Sequence, residues 1–202
     1  MSRGKFITLE GLDGAGKSTH VGAIADLLRA RGKDVVVTRE PGGTPLGEKL
    51  RSVLLSEKLN IDTETLLMFA ARREHIGRVI EPALAAGRWV VSDRFTDATY
   101  AYQGAGGGMP RERIAALEAW VIGGLTPDLT LVFDVPVDTA LARLAGVRKD
   151  RFESEGRSYF ERVRAGYLER AGKEPRRMRV IDSGRALDEV KKEVEKIVLS
   201  LC

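Results

Sequence analysis

The sequence predicts a three-layer α/β fold, a five-stranded parallel sheet wrapped by helices. Three observations lead there. Short apolar bursts alternate with longer segments of helical periodicity along the 202 residues. A glycine-rich turn joins the first burst to the first helical pattern. No proline- or serine-rich linker, repeat or low-complexity tract divides the chain, so residues 1–202 read as one domain. Ligands of such folds sit at the C-terminal ends of the strands.

The elements follow in order. Phe6-Ile7-Thr8-Leu9 is the first strand. Val21, Ile24, Ala25 and Leu28 then recur at helical spacing, and Gly32 marks a stop. Val35-Val36-Val37 is the second strand, Trp89-Val90-Val91 the third, Leu129 to Phe133 the fourth and Met178 to Ile181 the fifth. Leu187, Val190, Val194, Ile197, Val198 and Leu201 form one face of a last helix. Gly104 to Gly108, with one alanine, reads as a helix terminator and turn. The apolar positions Ile114, Leu117, Trp120 and Val121 suit a dimer surface or core packing equally.

Composition excludes several classes. The one cysteine, Cys202, is the last residue, so a disulfide framework and a cysteine-based metal cluster are ruled out, and a reducing, cytoplasmic setting is expected. No apolar run approaches the roughly 20 residues of a membrane span. The apolar stretch after Arg3 and Lys5 breaks at Thr8 and Glu10, unlike a signal peptide. The net charge of +4 is uneven: residues 143–179 hold twelve Lys/Arg against six Asp/Glu. That points to a local anion site rather than a nucleic-acid coat.

Gly11-Leu12-Asp13-Gly14-Ala15-Gly16-Lys17-Ser18 fits G-x-x-x-x-G-K-[ST] at every fixed position, with a strand before it and a helix after it. Its backbone N–H groups can cradle phosphate oxygens, Lys17 can reach the β- and γ-phosphates, and Ser18 can bind Mg²⁺. Thr19 should face the α-phosphate. The loop implies ATP or GTP with Mg²⁺ but leaves kinase, switch and motor open. No guanine-reading N-K-x-D run is present, and the length suits a small-molecule phosphotransferase. A nucleotide-dependent binding module without phosphotransfer is the alternative of a different class.

Ser92-Asp93-Arg94-Phe95 directly follows the third strand. Asp93 can hold Mg²⁺ through water or accept a bond from the acceptor phosphate, and Arg94 can clamp that phosphate with paired donors. The second strand ends in the long turn Thr38-Arg39-Glu40-Pro41-Gly42-Gly43-Thr44-Pro45, with Arg51 on a helix beyond it.

These runs, with Tyr102-Gln103-Gly104-Ala105-Gly106 and Asp150-Arg151-Phe152-Glu153 in this order and spacing, resemble the thymidylate kinase family over about residues 5 to 199. The resemblance implies the phosphate-loop fold of nucleoside monophosphate kinases, with a lid segment at about 143–157. It implies phosphorylation of dTMP to dTDP by ATP and Mg²⁺, in a homodimer binding neither nucleic acid nor membrane. Another kinase of the same fold is the runner-up. The family pattern sets the base near Phe69 and Arg73, which share a helix face four residues apart. Such an arginine donates to the carbonyl at ring position 4 of thymine and leaves the amino group of cytosine unmatched. Thr99 and Gln103 correspond to base-contacting positions, and Tyr102 to the residue packed where a 2′-hydroxyl would project. Asp13 would face the sugar and acceptor phosphate. Arg94 and Arg51, ahead of Arg39, would neutralise that phosphate.

Some family members carry an arginine within the phosphate loop, where this chain has Gly14. The missing charge is then expected from the lid, with Arg148 and Arg151 as the candidates and Lys149 third, while Arg143 would lie against adenine. Catalysis would rest on Lys17, Asp13, Arg94, Arg148 and Arg151. A phosphate-oxygen acceptor is already ionised near neutral pH and needs no base. His20 reads as structural, and His75 carries no assigned role.

Overall fold

The computed structural model describes residues 3–145 and 155–202. Its sheet has the order β2-β3-β1-β4-β5, and every neighbouring pair is parallel. The strands are β1 (Phe6–Gly11), β2 (Val35–Arg39), β3 (Trp89–Asp93), β4 (Leu129–Asp134) and β5 (Met178–Asp182). Each matches an apolar burst and runs one or two residues beyond it. β1 lies at the centre and is buried along its whole length. Its polar residues are accommodated by specific partners: Thr8 Oγ1 meets Thr130 Oγ1 of β4 at 2.8 Å. Such pairing is what makes a buried hydroxyl tolerable.

Helices α1 (Lys17–Ala30), α2 (Pro45–Ser56) and α3 (Ile61–His75) follow the first turns. Thr44 caps α2 by accepting from Gly47 N, with Pro45 pre-set at the first helical position. Asn60 caps α3 through Thr63 N. α3 runs on through a π-helical turn, Ile76–Ile80, into α4 (Glu81–Ala85). α5 (Thr96–Thr99) likewise passes into a π-helical stretch, Tyr100–Gly106. α6 (Arg111–Ile122), α7 (Val137–Leu144), α8 (Arg157–Lys173) and α9 (Leu187–Leu199) complete the described helices.

Strand residues alternate between two clusters, as a sheet covered on both faces requires. Phe6 and Val90 join Phe69, Ile80, Phe95 and Ile114, whereas Ile7, Leu9 and Val91 join Ile24, Val163, Tyr167 and Val194. Among the described residues no helix is long and apolar enough to cross a membrane, and the exposed Cys202 is a free thiol.

The run Gly104 to Gly108 ends its helix and turns, as expected: the chain is helical to Gly106 and turns at Gly107. α8 packs directly on this stretch, and a Cβ on Gly106 would come within 2.7 Å of Val163. The glycine is there for close approach. On α9, Leu187 lies half-exposed, outside the buried face of Val190, Val194 and Val198. On α6 the four apolar positions divide: Ile114 and Val121 are core, Leu117 is partly buried, and Trp120 is 81% exposed.

Candidate active site

The phosphate loop spans the C-terminal end of central β1 and the start of α1. Lys17, the first residue of α1, is buried, and its Nζ donates to Gly11 O at 3.1 Å and Leu12 O at 2.8 Å. Its ammonium therefore sits inside the curl of the loop. Burial lowers its pKa, with Arg94 adding to the effect and Asp13 opposing it. The first turn of α1 holds no acidic residue and exposes Ser18 and Thr19, which keeps the positive end of the helix open to anions. Gly14 has φ 78°, and a Cβ there would lie 2.3 Å from Ala140 O of α7. Arg143 of α7 donates to Gly14 O and, across the site, to Ser183 O, both at 3.2 Å. Arg148, Lys149 and Arg151 lie outside the described residues.

Beside the loop is a cavity lined by Asp13, Arg51, Met68, Arg72, Arg94, Thr99, Tyr102 and Gln103, among others. Its wall nearest the phosphate loop is built around Arg94. This residue follows β3 with φ 70°, an uncommon conformation outside glycine that is held here by its side-chain bonds. Its guanidinium donates to Asp13 Oδ1 at 2.7 Å, to Tyr102 Oη at 2.9 Å and to Tyr167 Oη at 2.9 Å. Tyr102 in turn donates to Asp13 Oδ2 at 3.0 Å. Burial alone would raise the Asp13 pKa, but Arg94 and Lys17 outweigh it and hold the carboxyl well below the usual carboxylate range. Behind this wall Tyr167 donates to Glu10 Oε2, and Phe95 N donates to Glu10 Oε1. Burial and Asp97 push Glu10 up to about 8, with Arg94 opposing them.

The opposite wall is built around Arg72, which is 2% exposed. Its Nε donates to Glu40 Oε2 at 2.7 Å, one terminal nitrogen to Thr99 Oγ1 at 3.1 Å and the other to Phe95 O at 3.2 Å. Glu40 Oε1 faces His75 Nδ1 at 2.9 Å, and His75 Nε2 shares a 2.6 Å hydrogen bond with Thr38 Oγ1. Gln103 Nε2 donates to Glu64 Oε1 at 2.7 Å. A desolvated arginine with three fixed partners is a rigid donor group.

Most of the expected site residues converge here, and three do not. Arg73 turns away: it donates to Val121 O at 2.9 Å and Glu81 Oε2 at 3.1 Å, on the outer side of α3. Phe69 lies in the core, with the Arg72 guanidinium 5.0 Å from its ring centroid. The pair four apart that faces the cavity is Met68 and Arg72, one residue earlier on the helix. Arg39, more than half exposed, pairs with Glu48 at 2.9 Å and does not line the cavity. Arg51 does, anchored to Pro41 O at 2.9 Å. His20 stacks on Phe133 at 4.9 Å, in keeping with a structural role. Glu40, Met68 and Arg72 line the cavity and were missed by sequence reasoning, as was Glu64, which bonds to the lining residue Gln103. The Arg39-Glu40-Pro41 loop was the one signal that could have raised Glu40.

The donor set suits Mg²⁺ shared with nucleotide phosphates. Asp93, at the end of β3, has a buried Oδ1 that accepts no hydrogen bond among the described residues, and Ser18 offers an exposed hydroxyl. No group of three or more His, Cys, Asp or Glu suited to a metal exists among the described residues. Mg²⁺ commonly takes few protein ligands and completes its shell with phosphate and water.

The chain matches known proteins along nearly its whole length. The family model described as Thymidylate kinase matches residues 9–194. A thymidylate kinase of Cupriavidus metallidurans is 63% identical over 200 residues, covering 98% of this chain and 100% of the relative. One from Methylobacillus flagellatus is 62% identical, covering 97% of each. The crystal structure of a thymidylate kinase from Ehrlichia chaffeensis superposes with a TM-score of 0.80 at 36% identity, covering 97% of this chain and 99% of that one.

Proposed function

The chain belongs to the thymidylate kinase family, and from that premise we propose that the cavity beside the phosphate loop receives dTMP while the loop and lid hold ATP. The reaction is phosphorylation of dTMP to dTDP. The observation that carries the site assignment is the Arg94–Asp13–Tyr102 cluster, which joins the phosphate loop directly to the cavity.

On this reading Arg72 donates to the carbonyl at ring position 4, with Thr99 and Gln103 beside it, and Met68 covers the ring face. Tyr102 fills the place a 2′-hydroxyl would need. Arg94 and Arg51 bind the acceptor phosphate, with Arg94 held in line by Asp13. Lys17 exchanges its bonds to Gly11 O and Leu12 O for phosphate oxygens of ATP. The backbone N–H groups from Gly11 to Ser18, including those of Leu12, Ala15 and Gly16, add donors, and Thr19 adds its hydroxyl. Positioning and positive charge then lower the barrier without a base. Ser18 and Asp93 would hold Mg²⁺, which when bound would supply charge neutralisation for the phosphates. Arg148 and Arg151 are the lid candidates for the transferring group, and Arg143 is the adenine contact. Residues 1–202 work as one domain in the cytoplasm, as a homodimer. The exposed Trp120 of α6 and Leu66 of α3 support the dimer.

The test is turnover by the purified chain with ATP and Mg²⁺ against dTMP, dUMP, dCMP, UMP and AMP. Highest kcat/KM on dTMP is expected. Highest turnover on AMP or dCMP, or nucleotide binding with no product, would overturn the assignment.

A further inference from the structure

Arg72 can only donate, whatever the base in the cavity. Gln103 is different. A carboxamide shows an acceptor on one side and a donor on the other, and a half-turn exchanges them. What it reads in a base therefore depends on what holds it.

Gln103 is 1% exposed and donates through Nε2 to Glu64 Oε1 at 2.7 Å. Its Oε1 accepts no hydrogen bond among the described residues, and Gln103 lines the cavity. Glu64 is 3% exposed and stands in the first turn of α3. An anionic carboxylate only accepts. The amino side of Gln103 must then face Glu64, and its carbonyl is left for the cavity. The reversed amide would press two acceptors together where water cannot relieve them.

We propose that Glu64 is a specificity-determining positioning residue: by fixing the amide of Gln103 it presents an acceptor to the N3 edge of the base. This rests on the cavity being the dTMP site. N3 of thymine carries a hydrogen and satisfies that acceptor. N3 of cytosine carries a lone pair and opposes it, while its amino group opposes Arg72. The two walls thus reject cytosine through different atoms, one through a group that cannot change polarity and one through a group that is prevented from doing so.

The experiment compares kcat/KM for dTMP and dCMP in the full chain and its variants. The wild type is expected to favour dTMP strongly. Glu64→Gln puts a neutral amide beside Gln103 that can donate or accept, so Gln103 can reverse. The dTMP:dCMP ratio should fall about tenfold or more, the scale of one buried mismatched polar group. A merely structural loss would depress both substrates together and leave the ratio alone. In a Gln103→Leu background Glu64→Gln should change the ratio no further, because the amide it acts through is gone. A wild-type preference for dTMP with an unchanged ratio in Glu64→Gln overturns the proposal alone, as does an equal effect in both backgrounds. A wild type without dTMP turnover removes the reading of the site and the proposal with it. Should Glu64→Gln fail to fold, side-chain amide NMR of labelled wild-type protein decides. The Gln103 amino protons must stay bonded to Glu64 when dTMP binds, and their release would overturn the proposal.

Discussion

Arg72 and Arg73 are neighbours with opposite fates. A helix turns about 100° per residue, so adjacent side chains cannot share a face. Arg72 is fixed inward by Glu40, Thr99 and Phe95 O, all far away in the chain. Arg73 is fixed outward by Val121 O and Glu81. Arg72→Ala should therefore lower kcat/KM for dTMP about a hundredfold, the loss of one charged donor in a dry site together with an unpaired Glu40. Arg73→Ala should stay within about twofold, the ordinary scale of an exposed substitution. The reverse pattern in steady-state kinetics would return the base contact to Arg73. The sequence made the spacing of four legible and the register illegible. A pattern of apolar and basic residues on α3 reads almost as well one position later, and what selects Arg72 is a carboxylate 32 residues upstream. Asp13 and Arg94 came from local motifs and Thr99, Tyr102 and Gln103 from the family resemblance, and all five line the cavity. Glu40, Glu64 and His75 were not assigned, since each acts on another side chain rather than through a motif of its own.

Elements show the same division. All five strands were legible from apolar bursts, because a sheet covered on both faces needs near-continuous hydrophobicity. The glycine run was legible as a helix end, whereas its packing role was not, because that lies in a partner some 60 positions on: α8 lies against the π-helical stretch. A Cβ on Gly166 of α8 would stand 2.7 Å from Ala105 Cβ and 3.3 Å from Ala101 Cα. Gly166→Ala should then destabilise the fold by about 1–3 kcal/mol, the cost of overpacking a close helix contact. Chemical denaturation would measure it. An unchanged midpoint would mean that the two elements yield without cost. This contact also sets the neighbouring Tyr167, which holds Arg94, so catalytic efficiency should decline along with stability. A second close contact, Gly14 against Ala140 O of α7, explains at the same scale why an arginine cannot simply be placed in this phosphate loop. The added side chain would meet backbone, and only a shift of α7 could admit it.

For the whole molecule, several of the bases of residues 143–179 that the structure describes are paired within the fold. Arg164 binds Asp134 through two bonds of 2.6 and 2.8 Å, Arg170 and Arg177 enclose the buried Asp97, and Arg162 donates to Gly106 O. The unspent surface feature is apolar. α3 and α6 run side by side in the same direction, with Arg113 facing Asp62 near their starts and Arg73 bonded to Val121 O near their ends. Leu66 and Trp120 project from this pair at 54% and 81% exposure. An indole ring that exposed would shed roughly 150–250 Å² on burial. At about 25 cal/mol per Å² each ring contributes about 4–6 kcal/mol before the costs of association. Two-fold pairing uses the patch twice, once from each copy. Wild-type protein should therefore sediment at twice its 22.1 kDa chain mass at micromolar concentration. Trp120→Glu should sediment as a single chain, because it replaces the buried ring with a carboxylate facing its own copy across the axis. A monomeric wild type, or a Trp120→Glu variant that still pairs, would place the contact elsewhere or remove it.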